Sequence, residues 1–93
     1  MHAGQALYDL ARARTRYARR LELQVPSTTT IGQLQDQFRA WCDADSGCPV
    51  YLFCRLPGVV AEIELGDDWR LVLHPELLQS LDRIGLAPRI VYA

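Results

Sequence analysis

The sequence predicts a single α+β domain, with an N-terminal amphipathic helix followed by elements in the order β-α-β-β-(β)-α-β. Three observations carry this reading. Apolar residues recur every three to four positions in residues 7–21, 31–42 and 77–84, the spacing of a helix that buries one face. At 21–25 and 59–65 they alternate with mostly polar residues, and at 50–56 Val50, Leu52, Cys54 and Leu56 share one parity, the spacing of a strand. Turn-forming pairs such as Pro57-Gly58 lie between these segments. With 93 residues, 49% hydrophobic and 23% charged, the chain has the length and mix of one globular domain.

The first helix is read over residues 7–21, with Leu7, Leu10, Ala11, Tyr17, Ala18 and Leu21 on its apolar stripe. Arg12, Arg16, Arg19 and Arg20 fall on the opposite side, and Arg14 interrupts the stripe. A buried unpaired guanidinium is costly, so Arg14 is expected to find a carboxylate or carbonyl partner or to face a neighbouring domain. Leu21, Leu23 and Val25 then alternate with Glu22 and Gln24 as a half-buried strand ended by Pro26. Thr30 followed by Gln33 has the form of a capping box. The helix it opens carries Ile31, Leu34, Phe38, Trp41 and Cys42 on one face and stops at Asp45-Ser46-Gly47.

Val50, Leu52, Cys54 and Leu56 share one face of the second strand, and Tyr51, Phe53 and Arg55 the other. Pro57-Gly58 turns the chain into a hairpin partner, in which Val59, Ala61, Ile63 and Leu65 alternate with Val60, Glu62 and Glu64. After the turn at Gly66-Asp67-Asp68, Trp69, Leu71 and Leu73 are expected to form a short returning strand, with Trp69 packed on the last helix. His74-Pro75-Glu76 opens that helix. Leu77, Leu78, Leu81 and Ile84 are its core face and Gly85 its stop. Pro88 to Tyr92 form a final strand. Two helices around a central hairpin is the ferredoxin-like pattern, a mostly antiparallel sheet with helices on one face, and it makes the final strand an edge. Residues 1–20 form a helical segment and 21–93 the domain.

Charge narrows the function. Residues 1–20 hold five arginines against one acid, whereas residues 21–93 hold five against ten, so any basic patch is local. Cys42, Cys48 and Cys54 show no C-x-x-C spacing. An odd count of that kind fits free thiols in a reducing compartment. No metal site or cofactor is expected, and no apolar run reaches the roughly 18–20 residues of a membrane span. Asp43, Asp45, Asp67 and Asp68 sit at turns, where acids serve the local backbone. Glu62 and Glu64 share a strand face without a His or Lys spaced to complete a site. His74 is read as a helix cap, and Cys42 and Cys54 as small core residues. No catalytic residue is assigned, and an enzymatic reading finds no constellation to rest on.

Several short stretches taken together do suggest a family. They are Tyr17-Ala18-Arg19 running into the Leu21 strand, Pro49-Val50-x-Leu52, Gly66-x-x-Trp69-Arg70, Leu77-Leu78-x-x-Leu81 and the strand that follows. In order and spacing the chain resembles the extreme C-terminal region of the bacterial replicative DNA polymerase III alpha subunit, from about Leu7 onward. The resemblance implies a piece of a longer, cytoplasmic polymerase. It would follow an OB-fold domain of the same polypeptide and bind the tau subunit of the clamp loader, with the polymerase active site elsewhere. The tail Pro88-Arg89-Ile90-Val91-Tyr92-Ala93 departs from those family tails that begin with Gln and end in an acid after an aromatic. The tau contact is expected at Arg83, Arg89, Ile90, Val91 and Tyr92, on the terminal strand and the adjoining helix face. The alternative reading is a ferredoxin-like nucleic-acid-binding module that grips phosphates with Arg12, Arg16, Arg19 and Arg20.

Overall fold

A computed structural model describes residues 13–92. After helical residues 13–17, the chain forms β1 (Arg20–Val25), α1 (Ile31–Phe38), β2 (Val50–Leu56), β3 (Val59–Glu64), α2 (Pro75–Arg83) and β4 (Arg89–Val91). The four strands make one sheet in the order β3-β2-β1-β4. β1 pairs with β2 in parallel and with β4 antiparallel, while β2 and β3 form the antiparallel hairpin. The fold is therefore α+β with a mixed sheet. β3 lies at the edge beyond β2, so the parallel β1–β2 pair is adjacent and not split by a third strand.

Strand parity sets the core. Leu21, Leu23 and Val25 stand beside Val50, Leu52 and Cys54 in register. Leu34 and Phe38 of α1, and Leu77 and Leu81 of α2, join them in one cluster. All the strand residues of this cluster point to one face, so α1 and α2 cover that face and leave the other uncovered among the described residues. α1 is fixed at its start by the expected capping box, in which Gln33 N–H donates to Thr30 Oγ1 and Thr30 N–H to Gln33 Oε1. α2 ends in a Schellman motif. Leu86 N–H donates to the Leu81 carbonyl at 3.0 Å and Gly85 N–H to that of Asp82 at 3.0 Å. Gly85 takes φ 88°, and Leu81 and Leu86 are both fully buried.

Four expectations need correction. The first helix has ended by Tyr17, which is 68% exposed and not in the core. Thr15 and half-buried Ala18 face inward instead, because Leu21 is held by strand pairing with Val50 and cannot extend a helical stripe. Arg14 sits half-buried beside that face, and its guanidinium forms no ion pair among the described residues. Leu7, Leu10, Ala11 and Arg12 lie outside the described residues. Ile31 is 73% exposed, since α1 buries only its i,i+4 pair. Past Phe38 the chain tightens into a 3₁₀ turn at Arg39–Trp41, so Cys42 is no longer helical. Finally, Trp69 closes a 3₁₀ turn, Asp67–Trp69, and does not start a strand. Only Leu71 makes isolated bridges, to Cys42 and Cys48. The tertiary frame wins there: Trp69 is half-buried against the core while Leu71 and Leu73 are fully buried. Among the described residues, no helix is long and apolar enough to cross a membrane.

Candidate functional site

The terminal edge is built on three residue pairs. Arg89, Ile90 and Val91 lie opposite Glu22, Leu21 and Arg20 of β1. Parity therefore turns Ile90 inward, where it packs half-buried against the core, and turns Arg89 and Val91 to the open face. Val91 C=O accepts from Arg19 N–H at 2.6 Å, and Tyr92 beyond it is 53% exposed. The outer side of β4 pairs with no strand among the described residues. Arg83 is exposed in the last turn of α2, in the helix layer on the other side of the sheet from Arg89. The structure thus gathers residues 89–92 into one edge, while Arg83 and Arg89 border it from opposite faces.

The arginine row does not survive as a helical stripe. Arg16 and Arg19 are exposed, but Arg20 belongs to β1 and faces the open side of the sheet. Its Nη2 lies 2.7 Å from Glu22 Oε2, and its guanidinium sits 5.0 Å from the Tyr51 ring centre. Tyr51 in turn lies opposite Glu64. Burial, then the charge and hydrogen bond of Glu64, hold the Tyr51 hydroxyl above its ordinary pKa against the pull of Arg20. The open face balances Arg20, Arg55 and Arg89 against Glu22, Glu62 and Glu64. Such a surface has no net attraction for a phosphate backbone.

Asp43 and His74 make local contacts within the fold. Asp43 Oδ1 accepts from the amides of Asp45 and Ser46, and Oδ2 from Ser46 Oγ at 2.6 Å. His74 caps α2 as expected: its Nδ1 accepts from Glu76 N–H, and its ring stacks on Trp41 at 4.8 Å. Burial pushes the Cys48 thiol up to about 11, and burial also raises Cys42. Among the described residues no three His, Cys, Asp or Glu side chains converge as a metal site would require. A cleft of about 570 Å³ lies between Arg16, the Asp43 loop and Arg70.

Thr15 was not singled out by the sequence. Its Oγ1 accepts from Leu73 N–H at 2.8 Å across 58 residues and ties the N-terminal helical residues to the centre of the domain. Nothing in the local pattern marks it, because a threonine within a helical stretch reads as neutral. No known family model matches the chain, and no curated protein is significantly similar to it.

Proposed function

We propose that this domain is a non-catalytic protein-interaction module of the polymerase III alpha type, tethering a replicative polymerase in the bacterial cytoplasm to the tau subunit of its clamp loader. The supporting observation is the β4 edge, a three-residue strand whose outer side is unpaired among the described residues. Exposed Tyr92 and Arg89 flank its half-buried Ile90 and Val91. Strand edges accept a further strand through main-chain hydrogen bonds, with alternate side chains supplying specificity. Aromatic and arginine side chains are the residue types that dominate binding energy at interfaces. Arg83 and Arg89 would border the contact, where charge tunes rate and selectivity more than affinity. The family resemblance supplies the identity of the partner, and an OB-fold domain of the same polypeptide would precede the helical segment. The element order β-α-β-β-α-β is that of the ferredoxin-like reading, whereas the sheet order differs from it, with β3 outermost and β1 paired directly with β2. The nucleic-acid alternative gains less support, because Arg20 is engaged by Glu22 and the open face is charge-balanced.

Val91→Asp tests the proposal. Val91 faces the open side opposite Arg20, so an introduced carboxylate gains a nearby cation and the fold is expected to persist by circular dichroism. Tau affinity measured by calorimetry should fall at least about tenfold, the loss of a modest hot spot. A folded variant with unchanged affinity would place the contact elsewhere.

A further inference from the structure

The second sheet edge presents a different surface. Among the described residues β3 pairs only with β2, and both of its faces carry exposed apolar side chains: Val59 and Val60 are each 56% exposed and Ile63 44%. Register places Ile63, Ala61 and Val59 in line with Leu52, Cys54 and Leu56. The apolar row of the core therefore runs on through the hairpin to the edge, and neither helix closes over it, since Leu56 is also 53% exposed. Edges of this kind are normally blunted by lysine, proline or a bulge. Within β3 the protecting charges are Glu62 and Glu64 alone, both on the open face.

We infer that this edge is a self-association surface, on which β3 of a second copy of the chain adds antiparallel and extends the sheet through its edge. The hairpin fixes which backbone groups are available. Pro57-Gly58 joins Leu56 to Val59 through a two-residue loop, which makes Leu56–Val59 a mutually hydrogen-bonded pair. By alternation Cys54–Ala61 and Leu52–Ile63 are bonded pairs too, so the N–H and C=O groups of Val60, Glu62 and Glu64 point outward. A two-fold axis normal to the sheet keeps each face on its own side, so opposed residues must share parity.

Three registers of that parity compete. With Val60 opposite its own copy, only residues 59–61 of β3 pair with β3. With Glu62 opposite its own copy, two carboxylates oppose each other directly, which destabilises a strand pair. With Ala61 at the axis, residues 59–63 pair throughout: Val59 meets Ile63, Val60 meets Glu62, and no acid faces an acid. That register joins Val59, Ala61 and Ile63 of both copies into one apolar row. It also places Arg55 of the second copy one strand beyond Val60 of that copy. From there its long side chain reaches across about two strand spacings, roughly 10 Å, toward Glu62. The register thus offers both apolar continuity and charge complementarity. The surface is small, so the dimer is a weak one.

Sedimentation velocity of the 93-residue chain over a concentration series tests this. A concentration-dependent dimer is expected, with dissociation constant on the order of 10–100 µM for a contact below standard interface size. Val60→Pro removes an outward N–H while leaving the β2 ladder intact, and should abolish the dimer with the circular dichroism spectrum retained. Ala61→Cys reports the register, because opposed residues of a non-hydrogen-bonded pair sit about 4.5 Å apart at Cα, within disulfide reach. Cys54 is the partner of Ala61 within the hairpin, so the variant is made in a Cys54→Ser background; on oxidation it should cross-link two copies through position 61, as peptide mapping would show. A chain that stays monomeric throughout the series would overturn the inference. So would a dimer that persists in folded Val60→Pro, or one abolished by Val91→Asp, which would implicate β4.

Discussion

Thr15 shows how one hydroxyl can hold two distant parts of a chain. Leu73 is fully buried, and its amide reaches no carbonyl of a regular ladder; it donates instead to Thr15 Oγ1 at 2.8 Å. Thr15 is itself only 7% exposed. Thr15→Val keeps the shape and removes the acceptor, leaving a buried donor unsatisfied. The expected cost is about 1–3 kcal/mol, read from urea unfolding, with faster hydrogen exchange at the Leu73 amide as the local sign. A variant as stable as the parent with unchanged exchange at Leu73 would show that the bond contributes nothing. His74 is the contrasting case. Its role was readable, because a residue ahead of Pro-Glu at a helix start has a local backbone donor to accept from.

Elements were legible where periodicity and punctuation agree, and illegible where tertiary contacts decide. β1, β2 and β3 follow from alternation alone, α1 from the capping box at its start, and α2 from cap residues at both ends. The failures cluster at segment joints. Leu21 fits both a helical stripe and a strand, and only pairing with Val50 resolves it. Trp69-Arg70-Leu71 alternates like a strand, yet Leu71 makes only isolated bridges, so the segment has no ladder to join. The sheet order was equally out of reach, since a hairpin can lie on either side of its neighbour without changing the local pattern. For the candidate site, the edge position of residues 88–92 was readable, but the separation of Arg83 from Arg89 by the sheet was not. The loop that closes on Leu71 is the tightest of these joints. A Cβ on Gly47 would run into the Asp43 carbonyl oxygen and lie 2.6 Å from the Arg70 backbone carbon. Gly47→Ala must therefore move backbone, costing about 1–3 kcal/mol as overpacking does. An alanine variant that unfolds at the parent's urea midpoint would contradict this close approach.

At the largest scale, one core supports two sheet edges that no strand among the described residues pairs with. A contact at β4 would rest on β1, which carries fully buried Leu21 and Leu23, and a contact at β3 on β2, which carries buried Val50 and Leu52. Loss of the core would then silence both, and conditions that weaken it matter more than any edge residue. Alkali is such a condition. Cys48 is pushed up from 9.0 to about 11 by burial, which Arg70 only partly opposes. Burial also raises Cys42, against Arg39 and with Asp68, and raises Tyr51 with help from Glu64. Each of these groups keeps its proton in the folded state at a pH where the unfolded chain has lost it. Their contribution is complete below the ordinary values, 9.0 for the thiols and 10.0 for the phenol, and is lost as pH rises through the folded ones. Urea midpoints should hold steady to about pH 8 and decline above about pH 9. Cys48 alone accounts for a loss on the order of 2 kcal/mol by pH 11, given about 1.4 kcal/mol for each unit. Cys48→Ala begins less stable, because it leaves a small void in the core, but its decline between pH 9 and 11 should be shallower by that amount. Parallel declines in the two proteins would mean that the buried thiol does not drive the alkaline transition.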